Sequence, residues 1–279
     1  MVSEEKIRDL KCFAADIRIA AIEEFRAIGI GHVGGSMSVC DLMACLYGAI
    51  LNVRPTEPRW EHRDRFIMSK GHAGPAMYAA LALRGYFDRA LLKTLNQPGT
   101  SLPSHTDMNR TPGVDMTTGS LGQGFSSGLG IALGCRKKGL DNYTYILLGD
   151  GECEEGQVWE CALFAPAKEL TRVIVFVDYN RIQLCGTVEE VAGLTGICEK
   201  FASFGWHIVD VQDGNDVAQI LAAVEAAKAV TDKPSVIVLN TVKGKGCCFA
   251  EGVFNHNMPV SPQQADEAIA VLEAYKAAL

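Results

Sequence analysis

Two short polar stretches that follow apolar runs contain the side chains best suited to bind a metal. Asp150 lies in GDGECEEGQVWE (residues 149–160), directly after YTYILL, and Asn180 lies in DYNRIQLCG, directly after RVIVFV. If the two runs are neighbouring parallel strands, their carboxyl ends bring Asp150 and Asn180 to one edge of a sheet. Their oxygens suit Mg²⁺ or Ca²⁺, with a backbone carbonyl and phosphate oxygens completing the shell. The glycines beside Asp150 would let a diphosphate approach the backbone, although a plain turn with Asp150 as a helix cap explains GDG alone at least as well.

Most of the histidines lie in loops rich in glycine, proline or asparagine. They are His32 in GIGHVGG, His72 in SKGHAGPA, His105 in LPSHTD and His256 in FNHN. Imidazoles suit proton transfer between oxygens because they donate or accept near neutral pH, and a histidine just before a helix can reach an anion at the helix N-terminus. For any one of them alone, a surface-loop histidine is the simpler interpretation. The remaining two, His62 and His207, lack such surroundings and are interpreted as structural.

The elements that must position these loops alternate between strand and helix patterns, which predicts an α/β fold with a mostly parallel central sheet and helices on both faces. The strand runs are almost continuously apolar, so both faces of the sheet should be buried. The predicted strands are 65–69, 143–148, 172–177, 207–211 and 235–242. The predicted helices are 3–28, 36–51, 73–84, 121–138, 155–169, 193–204, 214–230 and 262–278. No linker or repeat is visible, so a single domain over residues 1–279 is predicted, with ligands at the carboxyl ends of the strands.

Composition disfavours several kinds of partner. The formal net charge is −7 and the pI is about 5.4, which argues against a nucleic-acid or anionic-membrane surface. The charged, helix-periodic start does not resemble a signal peptide, and no uninterrupted apolar run is long enough to span a bilayer. None of the ten cysteines forms a C-x-x-C pair, which is typical of buried thiols in a reducing cytoplasm and disfavours a zinc site.

The spacing of the two metal-binding candidates resembles the signature of thiamine diphosphate enzymes, written GDG…NN. Tyr179 occupies the first Asn position, and Asn180 matches the second, which is the metal ligand in that family. Four further stretches look like the successive motifs of a transketolase amino-terminal half. They are GIGHVGGSMSVCDLM, RDRFIMSKGHAGPAMYAAL, LPSHTDMNRTPGVDMTTGSLGQGFSSGLGIAL and TVKGKGCCFAEGVFNHNMPVS. They occur in the family's order and cover nearly the entire chain, so the chain resembles a transketolase.

The resemblance implies a reaction and a set of residue roles. Transketolases move a two-carbon glycolyl unit from a ketose to an aldose, with thiamine diphosphate as the electron sink. The residues implied to face substrate and intermediate are His32, His105 and His256. Those implied to contact the cofactor are His72, Gly119, Leu121, Asp150, Gly151, Asn180 and His256. Of these, the resemblance implies that Gly119 and Leu121 lie beside the aminopyrimidine ring, and that His72 and His256 contact the diphosphate. The implied ligands of Mg²⁺ (or Ca²⁺) are Asp150, Asn180 and Ile182.

The resemblance also implies a partner chain. The family's activating glutamate lies on a second, pyrimidine-binding domain, and these 279 residues contain no counterpart. We therefore expect the cofactor-diphosphate subunit of a split, cytoplasmic transketolase that pairs with a separate C-terminal subunit, two of each. Sugar phosphates are the implied substrates in pentose phosphate metabolism, with xylulose 5-phosphate the default donor.

The remaining carboxylates of GDGECEEGQVWE receive two different interpretations. Glu155 and Glu160 match acidic positions at the family's subunit interface, and Glu155 is assigned a part in proton transfer between paired sites. Glu152 and Glu154 are interpreted as first-turn acids stabilised by the helix dipole, worth about a few tenths of a kcal/mol each.

Two alternatives remain open from the sequence. The decarboxylating subunit of a 2-oxoacid dehydrogenase also contains GDG, but it is not expected to contain the GHVGG, LPSH and NHN loops. A non-catalytic cofactor-binding remnant would need no proton-transfer groups, whereas Asp150, Asn180 and the loop histidines are all present.

Overall fold

A computed structural model describes residues 2–279, and a parallel sheet lies at its centre. Its strands in chain order are β1 (Ile30–Gly31), β2 (Arg65–Met68), β3 (Thr144–Gly149), β4 (Val173–Tyr179), β5 (His207–Val211), β6 (Ser235–Asn240) and β7 (Met258–Pro259). Five of them form the sheet in the order β2-β3-β4-β6-β5, with every neighbouring pair parallel. The predicted α/β class and all five predicted strands are thus confirmed. The short strands β1 and β7 pair antiparallel in a separate ribbon.

Helices cover both faces of the sheet. They are α1 (Glu4–Ile28), α2 (Val33–Met37), α3 (Cys40–Cys45), α4 (Gly74–Leu83), α5 (Gln123–Lys137), α6 (Gly156–Ala167), α7 (Val188–Ala192), α8 (Ile197–Ser203), α9 (Val217–Ala229) and α10 (Pro262–Ala277). One hydrophobic cluster contains residues of α1, α3, α4, α9 and α10, and the other contains residues of α5, α6 and α8. Strands β2, β3 and β4 are buried along nearly their whole length because their aliphatic side chains face helices on either side.

Two predicted helices differ from the structure. The prediction of one helix over 36–51 is wrong: α2 begins earlier, at Val33, Val39 interrupts the path, and a π-helical turn (Leu46–Ile50) follows α3. The prediction of a helix from residue 193 is also wrong, because Gly193 and Gly196 have φ values of +66° and +63° and α8 begins only after them. The short α7 was not predicted, although Thr187 and Glu190 form a capping box at its start.

The stretch Val33–Ile50 is long and apolar enough, by length and composition alone, to cross a membrane. Asp41 interrupts it, and 83% of it is buried inside the protein. Asp41 is bound by Arg18 of α1 at 2.5 Å, which fixes α3 against α1 in the core. Packing against the sheet therefore accounts for the apolar composition of this stretch, as it does for core helices generally.

Candidate active site

A cavity of about 230 Å³ lies at the carboxyl ends of the strands. It is lined by nine of the eleven residues predicted from the sequence to form the site: His72, His105, Gly119, Leu121, Asp150, Gly151, Asn180, Ile182 and His256. The two exceptions are His32 and Glu155. A second cavity, of about 220 Å³, lies near the amino ends of β3 and β4, where its lining includes Cys135 and Val173. None of the predicted site residues lines it. The chemistry therefore belongs to the first cavity.

The loop histidines form one cluster. The ring centroid of His256 lies 4.7 Å from that of His72 and 4.9 Å from that of His32. The ring of His32 is in turn 5.6 Å from those of His72 and His105, so His32 joins the cluster although it does not line the cavity. His207, interpreted as structural, lies in β5 within hydrogen-bonding distance of Ser235 of β6, at 3.2 Å.

The ribbon of β1 and β7 brings two of these histidines together. Strand β1 ends one residue before His32, β7 begins two residues after His256, and Ile30 pairs with Pro259. The sequence gives no signal for strands this short, which is why the pairing was not predicted.

Burial keeps the clustered imidazoles neutral. It lowers the pKa of His32 to about 4, with His105 contributing, and lowers the pKa of His256 to about 4, with His32, Lys243 and Lys70 contributing. Burial also lowers the pKa of His105, and it lowers that of His72 well below its usual value. At neutral pH each ring can therefore donate one hydrogen bond and accept another.

The two predicted metal ligands lie at adjacent strand ends, as expected, because Gly149 of β3 pairs with Asp178 of β4. Asp150 Oδ2 accepts a hydrogen bond from the Arg181 amide at 2.5 Å, and Oδ1 accepts from the Gly151 amide at 2.8 Å. The side-chain amide of Asn180 donates to Asp178 at 3.2 Å, while its oxygen accepts from the Ile182 amide at 3.1 Å.

The charge state of Asp150 reflects a crowded acidic site. Burial, with Asp178 nearby, raises the pKa of Asp150 to about 7, against opposing hydrogen bonds from backbone amides. Within residues 2–279, no group of three or more His, Cys, Asp or Glu side chains could hold a metal ion. Asp150 and Asn180 would thus need further oxygen ligands, as Mg²⁺ in proteins commonly takes from backbone and phosphate groups.

Three glycines lie in such close contact with side chains of the cavity that an added Cβ atom would be crowded. A Cβ atom on Gly35 would lie 2.9 Å from Nε2 of His72, and one on Gly119 would lie 2.9 Å from Cδ2 of His105. Gly119 also has a φ of +132°, which other residues rarely adopt. A Cβ on Gly151 would lie 3.1 Å from the side chain of Gln183. The side chains of His72, His105 and Gln183 can therefore pack directly against the backbone of the cavity wall.

Two lysines of the cavity wall were not predicted, although each lies in a quoted glycine-rich stretch. Lys70 is 1% exposed and forms an ion pair with Asp178, which also accepts hydrogen bonds from Ser38 and Thr241. Lys243 is 3% exposed and donates to the Phe254 carbonyl at 3.2 Å, and burial lowers its pKa. Within the described chain Lys243 has no carboxylate partner in a salt bridge, so its ammonium is suited to an anion in the cavity.

Glu152 is a first-turn acid, as interpreted from the sequence, but its burial and its partners were not predicted. Glu152 does lie in a short 3-10 helix (Gly151–Glu154), but it is only 2% exposed and its carboxylate accepts three hydrogen bonds. Burial raises its pKa, and those hydrogen bonds oppose the rise. Glu154 lies in the same 3-10 helix and accepts a hydrogen bond from the side-chain amide of Gln183 at 2.8 Å. Periodicity alone could not show that three loops meet at one carboxylate.

The acids assigned to a subunit interface lie at the start of α6. Glu155 precedes its first residue, and Glu155 and Glu160 are both exposed. No partner chain is present to test the role assigned to Glu155.

Comparison with known proteins identifies similar chains. Residues 10–275 match the family model described as "Transketolase, thiamine diphosphate binding domain". The 6-deoxy-6-sulfo-D-fructose transketolase subunit SqwG of Clostridium sp. (strain MSTE9) is 50% identical over 98% of this chain and 98% of its own. An apulose-4-phosphate transketolase subunit of Phocaeicola vulgatus is 34% identical over 86% of this chain and 85% of its own.

Solved structures agree with these sequence relatives. A transketolase mutant from Pichia stipitis superposes with a TM-score of 0.88 at 33% identity, over 96% of this chain and 40% of that one. The transketolase of Leishmania mexicana gives a TM-score of 0.86 at 32% identity, over 99% and 42%. This chain therefore spans about two-fifths of the length of the solved transketolases, and nearly the whole length of the two relatives that are named subunits.

Proposed function

Because this chain belongs to the transketolase family, we propose that it is the diphosphate-binding subunit of a split, thiamine diphosphate-dependent transketolase. With a separate C-terminal subunit it would transfer a two-carbon glycolyl unit from a ketose phosphate to an aldose phosphate. The observation that carries this proposal is the cavity in which the loop histidines meet Asp150 and Asn180 at the strand ends.

The residues present fit the proposed cofactor and cation. Asp150 and Asn180 offer hard oxygens at one edge of the sheet, and Ile182, whose carbonyl is the third assigned ligand, lines the same cavity. Lys243 and His72 line the same cavity, where they could bind a diphosphate. When bound, thiamine diphosphate supplies the carbanion that attacks the ketose and stores its electrons.

The histidines of this chain would handle hydroxyl groups and protons. Since the pKa values of His32 and His256 fall to about 4, both rings are neutral at pH 7 and can accept a proton from a sugar hydroxyl or donate one hydrogen bond to it. His105 faces the cavity beside Gly119, where it can contact the reacting end of a sugar. Four neutral rings in one cluster suit the binding of a polyhydroxylated chain better than the binding of a charged group.

The exposed face of α6 supports an assembly with further chains. Leu163 is 60% exposed and Phe164 is 37% exposed, so two neighbouring large apolar side chains of α6 face solvent. Glu155 and Glu160 lie on the same helix start. Both sequence relatives described above are named subunits, and this chain covers most of the length of each. We expect two copies of each chain, with Glu155 near the activating glutamate of the partner.

The donor substrate has a second candidate. A relative of 50% identity is named for 6-deoxy-6-sulfo-D-fructose, so a ketose with a terminal sulfonate should be tested beside the ketose phosphates. Supplying the complex with each donor and one aldose phosphate, and identifying the products by mass spectrometry, decides between them. Decarboxylation of pyruvate in the same assay would instead support the 2-oxoacid dehydrogenase alternative.

Calorimetric titration tests the cofactor assignment. The full chain should bind thiamine diphosphate in the presence of Mg²⁺ and lose most of that binding when EDTA is added. Asp150→Ala and Asn180→Ala should each remove Mg²⁺-dependent binding because they remove the only side-chain oxygens assigned to the cation. Unchanged binding by both variants would contradict the assignment, and absence of binding by the wild-type chain, alone and with its partner, would overturn the proposed function.

A further inference from the structure

We propose that Glu152 is a positioning residue that holds three cofactor loops at a fixed spacing, an inference that rests on the proposed function. Glu152 forms no hydrogen bond with Asp150, with Asn180 or with the clustered histidines. Its contacts are instead with the backbone and side chain of the loops that carry those groups.

The carboxylate joins segments that are far apart in sequence. Oε1 accepts from the Ser69 hydroxyl at 2.5 Å and from the Gly122 amide at 2.9 Å, and Oε2 accepts from the Gly149 amide at 3.0 Å. Ser69 begins the segment that leads from β2 to His72. Gly122 is the residue before α5, and Gly149 is the last residue of β3. One side chain thus ties together three loops that reach the cavity.

The three loops carry different parts of the site. The loop after β3 carries Asp150 and Gly151, and the loop after β2 carries His72. The segment before α5 carries Gly119 and Leu121, on the side assigned to the cofactor rings. Glu152 therefore fixes the distance between the diphosphate end and the ring end of the proposed binding site.

Helix α5 packs closely against the residue that follows β2, Ser69. A Cβ atom on Gly124, in the first turn of α5, would lie 2.5 Å from the Ser69 hydroxyl and 2.7 Å from the Ser69 Cα. Helix α5 is thus pressed against the end of β2, where Ser69 donates to Glu152. A loss of the Glu152 hydrogen bonds would leave polar groups buried, and the loops would separate to let water reach them.

A side chain that accepts at both of its oxygens matches all three donors. Two of the donors are backbone amides that cannot turn away, and the Ser69 hydroxyl is the third. In Glu152→Gln, the NH₂ group replaces one of the two carboxylate oxygens. In either orientation of the side chain, this donor faces a backbone N–H that then has no acceptor. The substitution keeps the size of the side chain and removes the match in hydrogen bonding.

Asp64 provides a matched control. It is also a buried carboxylate, 6% exposed, and it accepts from the Asn52 amide at 2.9 Å and the Tyr143 amide at 2.8 Å. Asp64 directly precedes β2, at the end of the sheet opposite the cavity. Asp64→Asn therefore makes the same chemical change in a similar hydrogen-bonding environment without touching a cofactor loop.

The experiment compares two ligands on four proteins. The wild-type chain, Glu152→Gln, Ser69→Ala and Asp64→Asn are titrated with thiamine diphosphate and with inorganic diphosphate, each with Mg²⁺. Glu152→Gln should weaken the affinity for thiamine diphosphate by about tenfold, the scale expected for one lost hydrogen bond. It should change the affinity for inorganic diphosphate by less than about threefold. Ser69→Ala should show a smaller loss in the same direction, and Asp64→Asn should leave both affinities unchanged.

The ratio of the two affinities separates positioning from a general loss of structure. A merely structural role would weaken both ligands equally, or give Asp64→Asn the same effect as Glu152→Gln, and either result would overturn the inference. Unchanged affinity for thiamine diphosphate in both Glu152→Gln and Ser69→Ala would also overturn it. If Glu152→Gln does not fold, Ser69→Ala decides the matter, because it retains the carboxylate. Failure of the wild-type chain to bind thiamine diphosphate, both alone and with its partner, would overturn the proposed function itself.

Discussion

At the residue scale, the site depends on uncharged imidazoles packed against one another. His32 has a pKa of about 4 because it is buried beside His105. Between pH 6.5 and about 4, the unfolded chain binds a proton at this position that the folded chain does not bind. The free energy of unfolding contributed by His32 therefore falls as the pH falls through this range, and it is constant above pH 6.5.

A substitution of His32 should make this pH dependence visible. We expect the free energy of unfolding of His32→Asn, relative to wild type, to increase steadily as the pH falls from 6.5 towards 4. Folding of the variant no longer requires position 32 to lose a proton that the unfolded wild-type chain binds there. Urea unfolding at pH 7.0 and 5.0 measures the difference, and His62→Asn, outside the cluster, shows what removing another histidine does. If the free energy of unfolding of His32→Asn differs from that of wild type by the same amount at both pH values, the pKa assignment is contradicted.

The sequence identified the chemistry of single residues better than their interactions. The loop histidines could be selected because glycine and proline around them indicate loops at strand ends, and the structure brings all of them together. Glu152 and Lys70 could not be recognised, because their partners lie 83 and 108 positions away in the chain. A buried ion pair or a bridging carboxylate leaves no local periodic signal.

At the element scale, the glycines of the loop before α5 and of α5 itself have opposite requirements. Gly119 has a φ of +132° and no room beside His105, whereas a Cβ on Gly130, inside α5, would meet nothing within 4 Å. Gly119→Ala should lower the free energy of unfolding by about 1 kcal/mol or more and weaken thiamine diphosphate binding, because it strains the backbone and displaces His105.

Gly130→Ala is the internal comparison for that prediction. It should raise the free energy of unfolding by about 0.5–1 kcal/mol, as alanine does in an exposed helix position, and leave cofactor binding unchanged. Chemical denaturation and calorimetric titration of both variants measure these effects. Equal shifts in stability for the two substitutions would mean that the conformation at Gly119 is not required.

Strands were predicted more accurately than helices for a physical reason. A strand buried on both faces must be apolar throughout, so β3 and β4 stand out in the sequence. Helix ends depend on single residues: Gly196 delays the start of α8, and Val39 separates α2 from α3. The apolar pattern of the segment 36–51 gives no sign of that interruption.

At the scale of the whole molecule, the exposed face of α6 should carry assembly. Leu163→Asp should reduce the molar mass of the complex formed with the partner chain, because it places a charge in an apolar contact. The same substitution at Val271, 53% exposed on α10, should leave the mass unchanged, and neither should alter the stability of the isolated chain. Light scattering measures the mass, and an equal effect of both substitutions would contradict the assignment of this face.

The central claim is that this chain supplies the diphosphate half of a transketolase site and needs a partner for turnover. The most direct measurement is ketol transfer by the chain alone, by the partner alone and by the two together, with thiamine diphosphate and Mg²⁺ in each. We expect turnover only in the mixture, and loss of that turnover when the chain carries Asp150→Ala. Sustained turnover by the chain alone, or none by the mixture with any ketose phosphate or sulfonate, would contradict the claim.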